Sequence, residues 1–452
     1  MYQYNMIFLL IIMMAISNAV AQNSTKDQSV PEKIWIDSVW AGHPVGFSLL
    51  TEGNRQYVAY YNANRNMVLG QRDLKDDHFE LHVLPPTDRK TSGGTSTVVV
   101  WDSHNYVTLA IDQDGYIHLS GNMHVHPLTY FRSKTPHDIS QMIQIRNMVG
   151  SEEDRCTYPK FMKNREGDLI FHYRDGGSGD GNEIYNIYNT ENQSWSRLLD
   201  APLTDGQGLM NAYQSQPVLL QDNYYHVYWV WRDTPDCETN HDLSYIKSPD
   251  LRHWYNAFGD PVDISVTIDN KSVIVDPIPV NGGIINLAAR LCLDDQLKPV
   301  FVYHKYDEAG NLQFYIAQIS DDHWTYKQIT DWDYRWEFKG RGSIVSEVRI
   351  RGFERSDEGY LVHFYHIKYG EKTLVLDHDF NITETRNRVE IGLPTFEPEG
   401  EFPGLEIRTQ GDEGETDGGT YLLKWETLPN NRDLPRPKPW PPASQLYLIK
   451  RN

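Results

Sequence analysis

The chain has 452 residues and a formal net charge of −20, from 62 acidic and 42 basic side chains. A field of that sign repels polyanions at long range, which argues against nucleic acid as a partner and requires any anionic ligand to be held by a local cluster of Arg, Lys or His. Three cysteines, Cys156, Cys237 and Cys292, are too few and too odd in number for a disulfide framework, so the fold must rest on its core.

From the N-terminus, the apolar run Met6 to Ile16 followed by Ala19-Val20-Ala21 reads as an export signal over residues 1–21, cleaved near Ala21. The run is too short to span a bilayer, and the expected location is secreted or periplasmic. The segment before it carries no Lys or Arg, a departure from the usual pattern of such signals. Residues 22–452 contain no internal Pro/Gly/Ser-rich linker and are expected to form one domain. The Pro-rich stretch Pro435 to Pro442 is followed by the strand-like Gln445 to Ile449, which reads as a closing segment.

Between these ends, apolar residues alternate in short runs bounded by Asp, Asn and Gly, the signature of many short strands. One unit recurs: a strand, an acidic or glycine turn, then a strand ending in an aromatic residue or His. The turns are Asp112-Gln113-Asp114-Gly115, Lys163 to Gly167, Gln221-Asp222-Asn223, Asp294-Asp295-Gln296 and Ser356 to Gly359. Their spacing of about 50 to 75 residues suits four-stranded propeller blades. Ser248 to Trp254 and Ser320 to Trp324 resemble shortened Asp-box turns in the outer part of a unit. The expected fold is an all-β, seven-bladed β-propeller.

In an antiparallel hairpin, residues whose numbers sum to a constant face each other, with Cβ atoms about 4.5–5.5 Å apart. Turns centred on Asp114 and Glu166 therefore place His104 opposite His124 and Tyr158 opposite Arg174. A turn near Asp222 places Tyr213 opposite Arg232, and the next two hairpins bring His304 to the same end and His366 near Arg349. His, Tyr and Arg thus converge at the end of the units away from the turns. Core packing alone explains this poorly, because a buried Arg without a partner costs several kcal/mol.

Each residue also has a structural reading. His104 and His124 can close a blade as a polar pair, Tyr158 before Pro159 can anchor a bulge, and Arg174 and Arg232 can pair with the following Asp175 and Asp233. His304 and His366 suit structural or lining roles better than catalysis. Cys237-x3-His241 has metal-ligand spacing but no second pair nearby.

The cluster suits β-elimination from a uronic acid. The C5 proton becomes acidic once a guanidinium neutralises the carboxylate, and His and Tyr can exchange base and acid duties when a neighbouring Arg lowers the phenol pKa. Hydrolysis would need paired carboxyl groups or, in a sialidase-like enzyme, three arginines around one carboxylate, for which Arg174, Arg232 and Arg349 are the candidates. A non-catalytic glycan-binding propeller is the third reading.

The segments Ser103-His104-Asn105, Ser120 to His124, Thr157 to Phe161, Phe171 to Gly179, Trp229 to Arg232 and Asn240 to Leu243 resemble the BNR-repeat propellers that include the ulvan lyases of polysaccharide lyase families 24 and 25. The resemblance runs from about residue 35 to 370. It implies a secreted enzyme that cleaves ulvan, an anionic algal polymer of sulfated rhamnose and uronic acid, and leaves an unsaturated uronyl end. By that likeness Arg174 neutralises the uronate, His104, His124 and Tyr158 share base and acid duties, and Tyr213 lines a sugar subsite, with Arg232 and His304 as further substrate-binding residues. It implies a monomer with no cofactor needed for catalysis; a structural calcium or zinc ion would fit the family, with ligands unassigned.

Overall fold

The computed structural model describes residues 32–89, 94–286, 288–388, 396–414 and 420–451; the export signal expected at residues 1–21 lies outside them. The described strands form seven antiparallel sheets. Blade 1 contains Ser48–Glu52, Arg55–Tyr61, Met67–Asp73 and Glu80–Val83. Blade 2 contains Val107–Ile111, Ile117–Gly121, Tyr130–Ser133 and Met142–Gln144. Blade 3 contains Cys156–Lys163, Leu169–Gly177, Asp180–Asn189 and Ser194–Arg197. Blade 4 is built on Asn211–Gln214, Tyr225–Arg232, Asn240–Ser248 and Trp254–Tyr255. Arg290–Leu293, Pro299–Tyr306, Leu312–Ser320 and His323–Gln328 make blade 5. Val348–Ser356, Gly359–His366, Gly370–Leu376 and Ile382–Asn387 make blade 6.

Blade 7 is assembled from both ends of the described chain. Glu406–Gly411, Thr420–Thr427 and Ser444–Arg451 are completed by Glu32–Val39, which pairs antiparallel with Ser444–Arg451. The strand expected at Gln445 to Ile449 is thus the one that closes the ring. This is the expected all-β, seven-bladed propeller.

Local chemistry explains the units. Strands inside a blade are covered on both faces, so Arg55–Tyr61 is buried almost throughout while the outermost Ile382–Asn387 is exposed throughout. At the acidic turns of blades 2, 4 and 5 one carboxylate replaces backbone partners that a tight reversal leaves unpaired. Asp112 Oδ1 accepts from the amides of Asp114 and Tyr116, at 3.0 and 2.8 Å. Asp294 does the same for Gln296 and Lys298, at 2.8 and 2.9 Å. In the Asp-box-like segment Asp250 Oδ1 accepts from the Arg252 and His253 amides, at 2.9 and 2.8 Å, and sets Trp254 into the core.

All five acidic turns lie between the first and second strands of blades 2 to 6. The three cysteines are free. Among the described residues no helix is long and apolar enough to cross a membrane.

Candidate active site

His104 lies just before the first strand of blade 2, and its partner just after the second. The hairpin register Val107↔Gly121 extrapolates to His104 opposite His124. The chain departs from it at Asn122, whose φ is 57°, and His124–His126 becomes a short strand added to blade 3. The two imidazoles still stand together, with ring centroids 4.2 Å apart.

What holds them is Asp102, which the sequence reading left without a role. Its Oδ1 is 2.6 Å from His104 Nδ1 and its Oδ2 is 2.6 Å from His124 Nδ1. A carboxylate accepts only, so each Nδ1 donates and each Nε2 is left as the nitrogen free to act on a ligand. Burial opposes ionisation of Asp102, but the two imidazole hydrogen bonds outweigh it and hold its carboxyl well below the usual range. Asp433, from the loop between the second and third strands of blade 7, stands 3.5 Å from His104 Nδ1 and accepts from Ser103 N, Ser103 Oγ and Ser343 N.

Tyr158 and Arg174 are not opposite each other, contrary to the expected pairing. A bulge between Thr157 and Lys160 shifts the register by one, so Arg174 faces Thr157. The cause is local: Pro159 has no amide to donate to the ladder, and Tyr158 adopts φ 56°. The bulge re-aims the phenol toward the imidazoles, 5.6 Å from His104 and 6.2 Å from His124 between centroids.

The pairing of Tyr213 with Arg232 is also corrected, since Asn211 faces Arg232 and Tyr213 faces Val230. The two side chains nevertheless meet, with Arg232 Nη1 donating to Tyr213 Oη at 3.1 Å. Ser178 Oγ shares a hydrogen bond with the same phenol, and Arg174 Cζ lies 5.1 Å from its ring centroid. Burial pushes the Tyr213 phenol up, but Arg174, Arg232 and Ser178 together bring it below its ordinary value. Tyr158 goes the other way, raised by burial and by Tyr213 against the pull of Arg174. The expected Arg-lowered phenol is therefore Tyr213.

A cavity of about 870 Å³ is lined by His104, His124, Tyr158, Tyr213, Arg232 and His304. It opens at the end away from the inner turns. His304 is buried, its Nδ1 is 2.7 Å from Gly283 O, and burial lowers its pKa to about 4, so it is neutral at physiological pH. His366 does not line the cavity: it packs among Trp332, Tyr334 and Tyr369, which is its structural reading.

Arg174 is 1% exposed and sits one layer behind the cavity, its Cζ 4.9 Å from the Tyr158 ring centroid. Its Nε donates to Gly176 O at 3.3 Å, while Nη1 and Nη2 find no hydrogen-bond partner among the described residues. The structural reading of Arg174 and Arg232 as ion pairs with Asp175 and Asp233 fails. Asp233 pairs with His241 at 2.8 Å, and Arg232 spends its other donors on the carbonyls of Thr234 and Pro235. A buried guanidinium with two idle nitrogens is costly unless something anionic arrives.

Facing Arg174 across the blade 3 ladder is Glu183, buried and with its pKa pushed up to about 7 by burial despite Arg174. The folded state prefers this carboxyl protonated, so its contribution to stability is complete below about pH 4.5 and is lost as the pH rises through 7. At about 1.4 kcal/mol per pH unit, the penalty above pH 7 approaches about 3 kcal/mol. Glu183→Gln should therefore gain stability relative to the parent between pH 5 and 8, measured as the difference in urea midpoints. A difference that does not vary with pH would refute the assignment.

As for metals, Asp102, His104 and His124 are the one group of three among the described residues whose ligand atoms lie within 4.8 Å of each other. Each Asp102 oxygen is already hydrogen-bonded to one imidazole, so the set is a built dyad rather than an open coordination shell. Cys237 and His241 form no such group; His241 is held by Asp233 and Asp242.

The chain is thus an all-β propeller with an imidazole, phenol and guanidinium cluster at one end of its channel. A profile described as BNR repeat-containing family member matches residues 55–332, more than half of the chain, and the protein belongs to that family. It is 25% identical over 346 residues to an ulvan lyase, long isoform, of Pseudoalteromonas sp. (strain PLSV), covering 60% of this chain and 34% of that one. Against an ulvan lyase, long isoform, of Alteromonas sp. (strain LOR) it is 26% identical over 193 residues, covering 33% and 19%. The chain thus spans about a third or less of the length of these curated relatives. A crystal structure of a polysaccharide lyase superposes with a TM-score of 0.57 at 15% identity, over 90% of both chains. A family 25 ulvan lyase bound to a GlcA(1-4)Rha3S unit gives 0.53 at 13%, over 93% of this chain and 98% of that one. At such identities the superpositions show the shared fold.

Proposed function

We propose that this protein is an exported polysaccharide lyase that cleaves ulvan by β-elimination, working as a single chain. The observation that carries the reading is the pair of imidazoles on one carboxylate, facing a phenol and backed by guanidinium groups in a single cavity. The ulvan lyases among its relatives support the substrate, and the apolar N-terminal run supports export.

In this reading the uronate carboxylate lies against the Tyr158 and Tyr213 wall. Arg232 at the cavity surface and Arg174 behind the rings supply the positive charge that makes C5–H acidic. The His pair, held with Nε2 free by Asp102, removes the C5 proton. The electron pair forms the C4–C5 double bond and O4 departs, taking a proton from Tyr158, whose raised pKa keeps it a neutral donor.

Hydrolysis fits less well. Among the described residues Asp433 is the one carboxylate lining the cavity, and its oxygens are committed to Ser103 and Ser343. The sialidase trio does not assemble either, because Arg174 lies behind the tyrosines while Arg349 belongs to blade 6. The test is the ultraviolet absorbance of the unsaturated uronyl product during incubation with ulvan. A steady rise is expected, and reducing ends without that absorbance would establish a hydrolase instead.

A further inference from the structure

The cavity carries more positive charge than one uronate uses. Arg232, Arg290, Arg341, Arg349 and Arg432 line it, in a chain whose net charge is −20. Most of these are committed elsewhere: Arg232 to Tyr213 and backbone carbonyls, Arg341 to Asp236 at 3.4 Å, and Arg432 to the carbonyls of Lys339 and Arg341.

Arg349 differs. It stands on the first strand of blade 6, and its Nη2 donates to the Ser346 hydroxyl at 3.1 Å; among the described residues no carboxylate pairs with it. Arg290 approaches from the first strand of blade 5, the neighbouring inner strand, where its Nη1 donates to Ala289 O at 2.7 Å. Arg351 and Arg408 add two more guanidinium groups from the inner strands of blades 6 and 7, each with its own carboxylate, Glu371 at 2.8 Å and Glu406 at 2.9 Å. Arg349 is solvent-exposed at the cavity wall, with Arg351, Arg290 and Arg408 as its cationic neighbours and Glu371, which is paired with Arg351, as the carboxylate that partly offsets them. A guanidinium that is exposed at the wall of an open cavity, has no ion pair of its own among the described residues and stands beside the strand that carries Arg290 is a place where an anion gains energy by binding.

The catalytic wall is made by blades 2 to 4, and Arg290 and Arg349 stand farther round the ring on blades 5 and 6. We propose that Arg349, with Arg290, forms a second anion subsite that takes the next charged group of the polymer, an oxyanion that is either a sulfate monoester or a further uronate carboxylate. The subsite deepens the lyase reading and rests on it for the identity of the polymer, while its affinity for an oxyanion does not depend on turnover. A cavity of this size, near the upper end of ordinary ligand sites, has room for more than the reacting sugar.

The experiment uses the full chain and inorganic sulfate as the probe. Sodium sulfate should raise the thermal midpoint above that in sodium chloride of equal ionic strength, and Arg349→Gln should weaken the half-saturating concentration about tenfold or more, as expected for losing a charge-assisted contact. Equal responses of parent and variant overturn the subsite. On native ulvan the variant should show a KM raised about tenfold with a smaller change in kcat; an unchanged KM also overturns it. Desulfated ulvan separates the two sources: if the parent's KM rises to that of Arg349→Gln the group is a sulfate ester, and if only the variant's KM rises it is a uronate. Should no polymer yield unsaturated product while sulfate binding still depends on Arg349, the lyase reading fails and the anion subsite stands.

Discussion

His124→Ala should lower kcat on ulvan by about three orders of magnitude, within the range general acid–base groups supply. The side chain touches the cavity, and its Nδ1 is tied to Asp102, so the substitution removes a reacting Nε2. The fold should survive. Asp102 Oδ1 keeps His104 Nδ1 at 2.6 Å and the His104 amide at 2.9 Å, so the half-buried carboxylate stays anchored although its Oδ2 loses the imidazole. His104→Ala should cost a similar factor, and the double variant should be scarcely worse than either, because two imidazoles held by one carboxylate act as a unit. Single-turnover kinetics on the three variants, with thermal midpoints as the control for folding, decides it. A kcat within a few-fold of the parent in His124→Ala would remove the imidazole pair from the chemistry.

The inner hairpins of blades 2 to 5 were legible because an Asp or Asn side chain caps each turn from within, a mechanism that leaves a mark in the sequence, while the blade 6 turn is marked by Gly359, whose φ is 129°. Blades 1 and 7 left less. The turn of blade 1 is the short Glu52-Gly53-Asn54, whose Gly53 has φ 58°, and blade 7 takes its outer strand from residues near the other end of the chain. Registers were legible only as far as the ladders stay regular. The sum rule gave the adjacency of His104 and His124, but it failed by one at Pro159, where the missing amide signalled the bulge. It failed at Tyr213 too, because the irregular residues between Gln214 and Val218 break the first strand of blade 4 in two. Asp102, two residues before His104, carried a signal of its own, since the two oxygens of one carboxylate can hold two imidazoles at once. Whether a guanidinium lies at a surface or behind a ring depends on tertiary depth, which no periodicity encodes, and Arg174 is the residue on which that distinction matters.

Arg174→Met should separate activity from stability. In the parent two of the three guanidinium nitrogens lack a hydrogen-bond partner and the charge rests against the rings of Tyr158 and Tyr213, so a thioether of similar length removes a buried charge at the cost of those ring contacts and one 3.3 Å bond to Gly176 O. Across the strand, Glu183 loses its cationic neighbour, and its pKa should climb further above about 7. At pH 6 that carboxyl is largely protonated in either protein, and the thermal midpoint of the variant should equal or exceed that of the parent. Turnover should fall by a factor of about 10² to 10³, the usual loss when a fixed charge near a developing anion is removed. The phenol of Tyr213, which Arg174 helps to hold below its ordinary value, should titrate at higher pH, read from its ultraviolet difference spectrum. A structural arginine would give the reverse pattern, a lower midpoint with activity kept. A buried cation whose compensation is two tyrosine rings rather than a carboxylate is the mark of a site that waits for an anion, and the variant measures the cost of burying it and its catalytic return in one pair of experiments.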